Sequence, residues 1–329
     1  MQPQDGVVTV VLGPRGAGDL GQELATISGI EVICARDKQE VVDALGAGAQ
    51  VLVSFDWDPS YAASGLRWIQ GRGIGFDRFP YDDLCRDGVT LTTGAGVHNT
   101  VVAEHAFALL LALLRGLPSS VRSAEQSQWN FSVGHEFAGS TIALLGTGDI
   151  GQAFAARCAG WGVRLIGVTR DPDKYAHLVA CGAFQELLPL SELKRACTKA
   201  DALVVAVPKP PDGKPVVQAA HLNALAGGWL IDVSRGGVVD EDALLSALRQ
   251  GVLTGAGRDV FVEEPLPSDS PFWSAPNLLI TPHKAGTTVN YDQRFLPLFK
   301  HNLEAFRGGG KSQWANIVVD GTIHNKWQG

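Results

Sequence analysis

Short runs of β-branched and other apolar residues alternate with longer helical stretches along nearly the whole chain, and this alternation restricts the possible folds more than any other feature. Strand–helix alternation predicts parallel sheets with right-handed crossovers, hence an α/β protein. Strands are expected at residues 7–12, 31–34, 51–55, 66–70, 89–92, 141–145, 163–168, 202–207, 229–233 and 278–281. Because so many strands exceed one comfortable sheet, we expect the 329 residues to form two doubly wound parallel-sheet (Rossmann-like) domains with a cleft between them.

The composition is that of a globular protein and argues against several classes of partner. Lys and Arg number 27 against 34 Asp and Glu, a formal net charge of −7, which disfavours binding to nucleic acid or to an anionic membrane surface. The longest uninterrupted apolar run, residues 106–114, is far shorter than the roughly 20 residues of a membrane-spanning helix. The first residues lack the basic and hydrophobic regions of an export signal, so a cytoplasmic location is expected.

The cysteines and histidines do not suggest a metal site or a disulfide framework. The 5 cysteines are scattered, and no C-x-x-C pair occurs among them. This pattern predicts reduced, buried thiols. The 8 histidines do not cluster either, so no metal is expected.

Residues 101–117 predict a strong helix that is apolar around too much of its circumference to lie on a surface. An ordinary core helix and a helix buried between domains or subunits both fit this pattern. His105 lies on this helix and is expected to be a hydrogen-bonded core or interface histidine.

The glycine fingerprint G-x-G-x-x-G occurs twice, at residues 16–21 and 146–151. Its glycines let the backbone approach a pyrophosphate, which rests on the N-terminus of the following helix. In the second copy a predicted strand runs directly into Gly146, and a helix and a further strand complete a βαβ unit. In the first copy residues 13–15 separate strand and glycine, which makes the loop too long for the turn, although Asp37 ends the next strand. The second copy is therefore the predicted dinucleotide site.

The residues that end the next strand distinguish the two nicotinamide dinucleotides. An NAD site has a carboxylate there for the ribose 2′-hydroxyl, whereas an NADP site has a cation for the 2′-phosphate. Here the strand ends on the uncharged Thr169, and Arg170 follows with planar donors suited to a phosphate. Asp171 is the opposing observation, but it precedes Pro172 in the expected turn. We therefore expect NADP as the preferred cofactor, with NAD as the alternative.

Three segments of the second half place polar residues at the ends of predicted strands. They are residues 232–237 with Arg235, residues 258–265 with Asp259 and Glu264, and residues 281–286 with His283. Ligands bind at the carboxyl ends of parallel strands, so all three segments can face one crevice.

The chain resembles the D-isomer-specific 2-hydroxyacid dehydrogenase family, which includes glyoxylate/hydroxypyruvate reductases. The matching stretches are GIGFD (73–77), VVAEHAFALLLALLR (101–115), LLGTGDIG (144–151), SRGGVVDEDAL (234–244), DVFVEEPLP (259–267) and TPHKAGTT (281–288). They occur in the family's order and extend over nearly the whole chain. The resemblance implies that Arg235, Glu264 and His283 are the catalytic residues.

Reduction of a 2-oxo acid requires a hydride at C2 and a proton on the forming alkoxide, and the three residue types suit these steps. A histidine titrates near working pH and can donate the proton. A carboxylate on its imidazole, the role of Glu264, orients the ring and favours its protonated form. Arg235 suits the substrate carboxylate or carbonyl through its fork of donors. The expected activity is an NAD(P)-dependent D-2-hydroxyacid dehydrogenase with His283 as acid/base.

The resemblance also implies binding residues. The implied cofactor contacts are Gly146, Gly148, Asp149, Ile150, Gly151, Thr169, Arg170, Val207, Val233, Ser234, Asp259 and Gly286, with Asp259 at the nicotinamide carboxamide. The implied substrate contacts are the backbone amides of Ile74 and Gly75, together with Arg235.

The resemblance further implies how the chain is organised. Residues 99–286 are expected to form the dinucleotide-binding Rossmann domain, while 1–98 and 287–329 form a flavodoxin-like substrate-binding domain with a helix at 291–306. A homodimer formed through the nucleotide domain is expected, with the helix at 101–117 suited to that interface.

Two features bear on the substrate and on alternative functions. The loop at 54–58 is acidic and aromatic, so a small unphosphorylated 2-oxo or 2-hydroxy acid is expected, although Arg72 or Arg78 can supply a cation.

Arg258 stands where the family usually has an aliphatic residue, and the sequence offers no account of it. A phosphite dehydrogenase-like enzyme on the same scaffold and a non-catalytic dinucleotide-sensing protein are the alternatives. The intact catalytic set argues against the second of these.

Overall fold

The computed structural model describes residues 7–14, 19–63, 65–73, 75, 79–308 and 311–324. The strands, numbered in chain order, are β1 (Val8–Leu12), β2 (Ile30–Cys34), β3 (Val51–Ser54), β4 (Trp68–Gly71), β5 (Thr90–Thr92), β6 (Thr141–Leu145), β7 (Arg164–Thr169), β8 (Glu186–Pro189), β9 (Ala202–Val205), β10 (Trp229–Asp232), β11 (Gly255–Arg258), β12 (Leu278–Ile280) and β13 (Ile317–Val319). The helices are α1 (Asp19–Ala25), α2 (Lys38–Gly46), α3 (Tyr81–Arg86), α4 (Asn99–Leu114), α5 (Leu117–Glu125), α6 (Asp149–Cys158), α7 (His177–Ala180), α8 (Leu193–Lys199), α9 (Ala219–Ala224), α10 (Glu241–Arg249) and α11 (Tyr291–Gly308).

The chain divides into two compact units. The first unit comprises Met1–His98 and Thr288–Gly329, and the second comprises Asn99–Thr287. Each unit contains its own sheet, and both sheets are doubly wound, because their strand orders require crossovers in two directions. The prediction of an α/β protein with two doubly wound sheets is confirmed.

The first unit is built on a six-stranded sheet with the order β13-β5-β4-β3-β1-β2. Its neighbours pair in parallel except for β13, which runs antiparallel to β5. The first five strands follow the flavodoxin-like order. Helix α11 packs on this sheet, where Phe299 stacks on Trp68 with ring centroids 5.2 Å apart. The last part of the chain therefore completes the unit that the first part begins.

The second unit is built on a seven-stranded parallel sheet with the order β12-β11-β10-β9-β6-β7-β8. From β6 the chain proceeds outward through β7 and β8, and then crosses to the other side of β6 through β9. The carboxyl ends of β6 and β9 are thus the topological switch point, where sheets of this type bind ligands.

Helix α4 is a core helix of the second unit. Val102, Ala106 and Leu110 belong to a buried cluster that includes residues of β6, β9, β10 and α6. The sequence predicted one helix over 101–117, but α4 ends at Leu114, because Gly116 takes a left-handed conformation with φ +64°, and α5 begins after it. No single helix among the described residues is long and apolar enough to cross a membrane; α4 and α5 pass that test only jointly, and they meet at a bend of 68°.

Strands β8, β11 and β13 are absent from the strand ranges expected from sequence, although a strand without stated bounds was expected before Arg258. The segment of β8 reads ELLP and pairs only with β7, so it lies at the sheet edge and lacks a β-branched run. Strand β13 has three residues and pairs only with β5. Short edge strands carry too little pattern to be recognised in a single sequence.

The five cysteines are free, but the expectation that all are buried is wrong. Cys158 and Cys197 are buried, and burial raises the pKa of each thiol to about 12, so both are unreactive near neutral pH. Cys34 is exposed because it ends the edge strand β2, and Cys181 is exposed after α7. Within the described ranges, no group of three His, Cys, Asp or Glu side chains is arranged to hold a metal ion.

Candidate active site

Three neighbouring strands of the second unit bring the candidate catalytic residues to one edge of the sheet. Arg235 follows β10, Glu264 follows β11 and His283 follows β12, and these strands pair in parallel in that order. Their carboxyl ends therefore lie side by side. The glycine loop after β6 lies at the same edge, two strands away from β10.

His283 and Glu264 form a direct pair. His283 Nδ1 lies 2.6 Å from Glu264 Oε2, and Glu264 Oε1 accepts a hydrogen bond from the Phe261 amide at 2.9 Å. The histidine has a left-handed backbone with φ +46°, and its amide donates to the Asp259 carbonyl at 2.8 Å. Its side chain is 41% exposed, against 23% for that of Glu264. Because the pair occupies Nδ1, Nε2 is the ring nitrogen left for a bound molecule.

Asp259 holds the loop that carries the candidate histidine. Its carboxylate accepts hydrogen bonds from the Thr281 hydroxyl at 2.5 Å and from the amides of Lys284 and Ala285 at 2.9 and 2.8 Å. His105 Nε2 lies 2.9 Å from the same hydroxyl oxygen. Burial alone raises the pKa of Asp259, but His105, whose Nε2 lies 3.5 Å from Asp259 Oδ1, and the hydrogen bonds from Thr281, Ala285 and Lys284 outweigh it and hold the pKa below its usual value. Asp259 is therefore an ionised anchor for the backbone of this loop.

Arg235 extends from a loop that is packed closely against the segment leading to Glu264. Its guanidinium Nη1 donates to the Ser234 carbonyl at 2.7 Å, and the side chain is half-buried. A Cβ on Gly236 would lie 1.9 Å from the Phe261 carbonyl oxygen, so only glycine allows the two backbones to approach. The loops of Arg235 and Glu264 therefore fix each other's position.

The loop after β6 has the geometry of a pyrophosphate cradle. Gly146 has φ +106°, and a Cβ there would lie 2.5 Å from the Ala206 carbonyl oxygen. A Cβ on Gly151 would lie 2.0 Å from the Gly146 carbonyl oxygen. Gly148 caps α6 without a side-chain hydrogen bond, and the space beside its Cα is open. The described residues of this loop therefore fit a dinucleotide, whose phosphates would meet the helix N-terminus.

The other implied cofactor residues lie along the same edge of the second unit. Asp149 is exposed in the first turn of α6, and Ile150 is half-buried. Val207 is half-buried after β9, Val233 is buried after β10, and Gly286 is half-buried beyond β12. Of the implied substrate contacts in the first unit, Gly75 is half-buried and Ile74 lies outside the described residues.

The residues expected to distinguish NADP from NAD lie at the end of β7. Thr169 is its half-buried last residue, and Arg170 is exposed directly after it. Asp171 Oδ1 accepts a hydrogen bond from the Lys174 amide at 3.1 Å. The carboxylate of Asp171 is thus engaged with the turn that follows.

Two groups of site residues escaped the sequence analysis. His105 was expected only to be a core or interface histidine, yet it contacts Thr281 beside Asp259. Asp232, Glu241 and Arg258 form a charge cluster next to both catalytic loops. The unusual Arg258 was the one available signal for that cluster, because its partners are distant in sequence.

The chain is similar in sequence to known proteins. Residues 107–285 match the family described as D-isomer specific 2-hydroxyacid dehydrogenase, NAD binding domain. The glyoxylate reductase of Pyrococcus furiosus is 32% identical over 254 residues, which are 74% of this chain and 74% of that protein. The D-3-phosphoglycerate dehydrogenase of Mycobacterium bovis is 30% identical over 86% of this chain and 53% of that protein.

Solved structures give the same result. A D-isomer specific 2-hydroxyacid dehydrogenase family protein from Aeromonas salmonicida superimposes with a TM-score of 0.83 at 28% identity, over 96% of this chain and 100% of that one. The NADPH-dependent glyoxylate/hydroxypyruvate reductase of Sinorhizobium meliloti, in complex with NADP and malonate, has a TM-score of 0.80 at 26% identity, over 98% of this chain and 99% of that one. The chain belongs to the D-isomer specific 2-hydroxyacid dehydrogenases, a family of NAD(P)-dependent oxidoreductases.

Proposed function

We propose that the chain reduces a small 2-oxo acid to the D-2-hydroxy acid with NADPH, and that His283 is the proton donor. The observation that carries this proposal is the contact of 2.6 Å between His283 Nδ1 and Glu264 Oε2. A carboxylate on Nδ1 orients the ring, so Nε2 is the nitrogen that can pass a proton to the substrate. A protein that only senses a dinucleotide has no need of such a pair.

The proposed reaction assigns one task to each residue. The nicotinamide, when bound, supplies the hydride that reduces C2 of the oxo acid. His283 gives its Nε2 proton to the oxygen of the former carbonyl, which becomes a hydroxyl, and the imidazole regains a proton from solvent. Arg235 binds the substrate carboxylate with two parallel donors and polarises the neighbouring carbonyl. Glu264 keeps the imidazole oriented throughout, and Asp259 keeps the loop of His283 in place.

The proposed preference for NADPH rests on the end of β7. Thr169 leaves room for a 2′-phosphate without repelling it, and Arg170 brings a cation to that position. Asp171 is engaged with the Lys174 amide. The NADPH-dependent reductase of Sinorhizobium meliloti, at 26% identity, supports the same preference.

Replacing Thr169 with aspartate is expected to reverse the cofactor preference. The new carboxylate repels the 2′-phosphate of NADPH and accepts a hydrogen bond from the 2′-hydroxyl of NADH. The kcat/KM with NADPH therefore falls about 100-fold, a loss of about 2.7 kcal/mol of transition-state stabilisation. Steady-state rates with both cofactors measure this change. Asp171→Asn is the matched control and keeps the wild-type preference. If Asp171→Asn lost activity with NADH and Thr169→Asp kept the wild-type cofactor preference, Asp171 would be the residue that binds the ribose.

The proposed substrate is small and unphosphorylated. Asp58 in the loop after β3 forms an ion pair with Lys38 at 2.7 Å, and the buried Arg72 forms one with Asp292 at 2.5 Å. Both cations therefore have a carboxylate partner within the first unit. Arg78 lies outside the described residues. The glyoxylate reductase of Pyrococcus furiosus, at 32% identity, supports a small oxo acid.

Initial rates test this substrate class. Glyoxylate, hydroxypyruvate, pyruvate, phenylpyruvate and 3-phosphohydroxypyruvate are compared as substrates with NADPH and with NADH. Higher kcat/KM for glyoxylate or hydroxypyruvate than for 3-phosphohydroxypyruvate is expected. A preference for the phosphorylated acid would contradict the proposal, and reduction of NADP⁺ by phosphite alone would point to the alternative enzyme.

We also propose a homodimer formed through the second unit. Most apolar residues of α4 are buried within their own unit, and Phe107 and Leu111 are partly buried. The segment after α5, in contrast, exposes Trp129, Phe131 and Val133 almost completely. Contiguous exposed apolar side chains of this size mark an interaction surface. Light scattering of the wild-type protein is expected to give twice the chain mass of 34.8 kDa. The double variant Trp129→Ser/Phe131→Ser is expected to give the mass of one chain. A wild-type monomer contradicts the proposal.

A further inference from the structure

A fully buried cation adjoins the two loops that carry Arg235 and Glu264. Arg258 ends β11 without solvent exposure, and its guanidinium lies 4.6 Å from the ring centroid of Phe261 and 5.4 Å from that of Phe272. Neither its Nε nor its Nη1 makes a hydrogen bond within the described part of the chain. A buried charge is costly unless groups of opposite charge compensate it. The partners of Arg258 therefore indicate what the cation does.

The first partner is Asp232, which ends the neighbouring strand β10 and is equally buried. Arg258 Nη2 lies 3.3 Å from Asp232 Oδ2, while Oδ1 accepts hydrogen bonds from the Ser234 amide at 3.1 Å and the Ser234 hydroxyl at 2.5 Å. Burial raises the pKa of Asp232, and the attraction of Arg258 opposes that rise. The cation thus favours the ionised carboxylate that anchors Ser234, the residue before Arg235.

The second partner is Glu241, the first residue of α10. Arg258 Nη1 lies 3.0 Å from Glu241 Oε1 at ion-pair distance, and the same oxygen accepts a hydrogen bond from the Val262 amide at 2.9 Å. The preceding amide, that of Phe261, donates to Glu264 Oε1 at 2.9 Å. The segment leading to Glu264 is therefore connected to the same guanidinium.

We propose that Arg258 is a positioning residue that holds both catalytic loops, the loop of Arg235 through Asp232 and the loop of Glu264 through Glu241. The inference rests on the roles proposed above for Arg235 and Glu264. Arg258 acts through its neighbours, because its guanidinium is enclosed by the two carboxylates and the two aromatic rings. Since the loops touch at Gly236, a displacement of either one moves the other.

A double-mutant cycle on the buried pair tests the proposal. Arg258→Leu leaves Asp232 buried without its counter-ion, and Asp232→Asn leaves Arg258 with a single carboxylate. Each single substitution is expected to lower kcat/KM for glyoxylate about 10- to 100-fold, with a rise in KM and a fall in kcat, because the loops shift. The Kd for NADPH is expected to rise less than kcat/KM falls, because the phosphate loop after β6 lies two strands from β10, although the implied cofactor contacts Ser234 and Asp259 adjoin the pair.

The double variant distinguishes positioning by the pair from two separate effects. Arg258→Leu with Asp232→Asn removes both charges of the pair and keeps an acceptor for the Ser234 amide, but Glu241 still lacks Arg258. We therefore expect kcat/KM to recover in part, to a value clearly above the product of the two single effects but below wild type. Wild-type kinetics in either single variant overturns the proposal, as does a double variant impaired by the product of the two single effects. Arg195→Leu, which removes an exposed arginine paired with Glu186 and Glu192, is the control and keeps wild-type rates.

Hydrogen exchange supplies a readout that needs no substrate. The amides of residues 234–235 and 261–262 are expected to exchange faster in Arg258→Leu. In the double variant the amides of residues 234–235 return toward the wild-type rate, while those of 261–262 stay fast because Glu241 still lacks its cation. Unchanged exchange in Arg258→Leu overturns the inference. A wild-type chain without reductase activity refutes the proposed function but leaves this test valid. If Arg258→Leu does not fold, Arg258→Lys replaces it: one ammonium pairs with only one carboxylate, so exchange at one loop rises. Wild-type exchange at both loops overturns the proposal.

Discussion

Replacing His283 with alanine is expected to lower kcat for 2-oxo acid reduction about 1,000-fold. Positioned general acid–base catalysis contributes about 10²- to 10⁴-fold, and no second donor is assigned to this step. The His283 side chain is 41% exposed and fills no core space, so its removal is expected to lower the free energy of unfolding only slightly. The measurement is kcat from NADPH oxidation, with Kd for NADPH and Tm determined on the same samples.

The control for this substitution is His177→Ala, which removes an exposed histidine of α7 in the same unit and is expected to leave kcat unchanged. Unchanged Tm and Kd in His283→Ala identify the loss as chemical. Full turnover by His283→Ala would mean that the proton comes from another group, and the mechanism would be wrong.

Replacing Arg235 with leucine is expected to lower kcat/KM for the oxo acid by about 1,000-fold. Two effects combine here, the loss of a bidentate, charge-assisted contact to the substrate carboxylate and the loss of positive charge near the forming alkoxide. Arg235→Lys recovers only a small part, because an ammonium offers a point charge instead of a planar fork. Substrate saturation curves separate the rise in KM from the fall in kcat.

Arg249→Leu, in the last turn of α10, is the matched control, since that arginine is exposed and distant in the fold from the strand edge of the site. It is expected to retain wild-type KM and kcat. If Arg235→Leu kept the wild-type KM for glyoxylate and for hydroxypyruvate, the substrate carboxylate would have to bind elsewhere.

The alternation of strands and helices was sufficient to predict the fold class. Strand β6 was predicted with its observed bounds, because TIALL is a short buried run that begins with two β-branched residues and ends at a glycine turn. The break between α4 and α5 was missed, since one left-handed glycine interrupts an otherwise continuous apolar pattern. Edge strands such as β13 were missed because their pairing depends on distant residues and not on a local pattern.

The candidate site was predictable where it is local in sequence. The glycine loop follows from its own spacing, and the resemblance supplied Arg235, Glu264 and His283. The contact between Glu264 and His283 spans 19 residues and is visible only in the structure. Arg258 is the clearest limit: its partners Asp232 and Glu241 lie on other elements, so only the folded chain shows that two carboxylates compensate this buried cation.

The most direct test of the account is reduction of hydroxypyruvate by the wild-type chain with NADPH, followed by chiral analysis of the glycerate formed. The account predicts one D-glycerate for each NADPH oxidised, with a higher kcat/KM for NADPH than for NADH. Formation of L-glycerate contradicts the assigned stereochemistry. Tight NADPH binding without turnover of any 2-oxo acid contradicts the central claim that this site is a 2-oxo acid reductase.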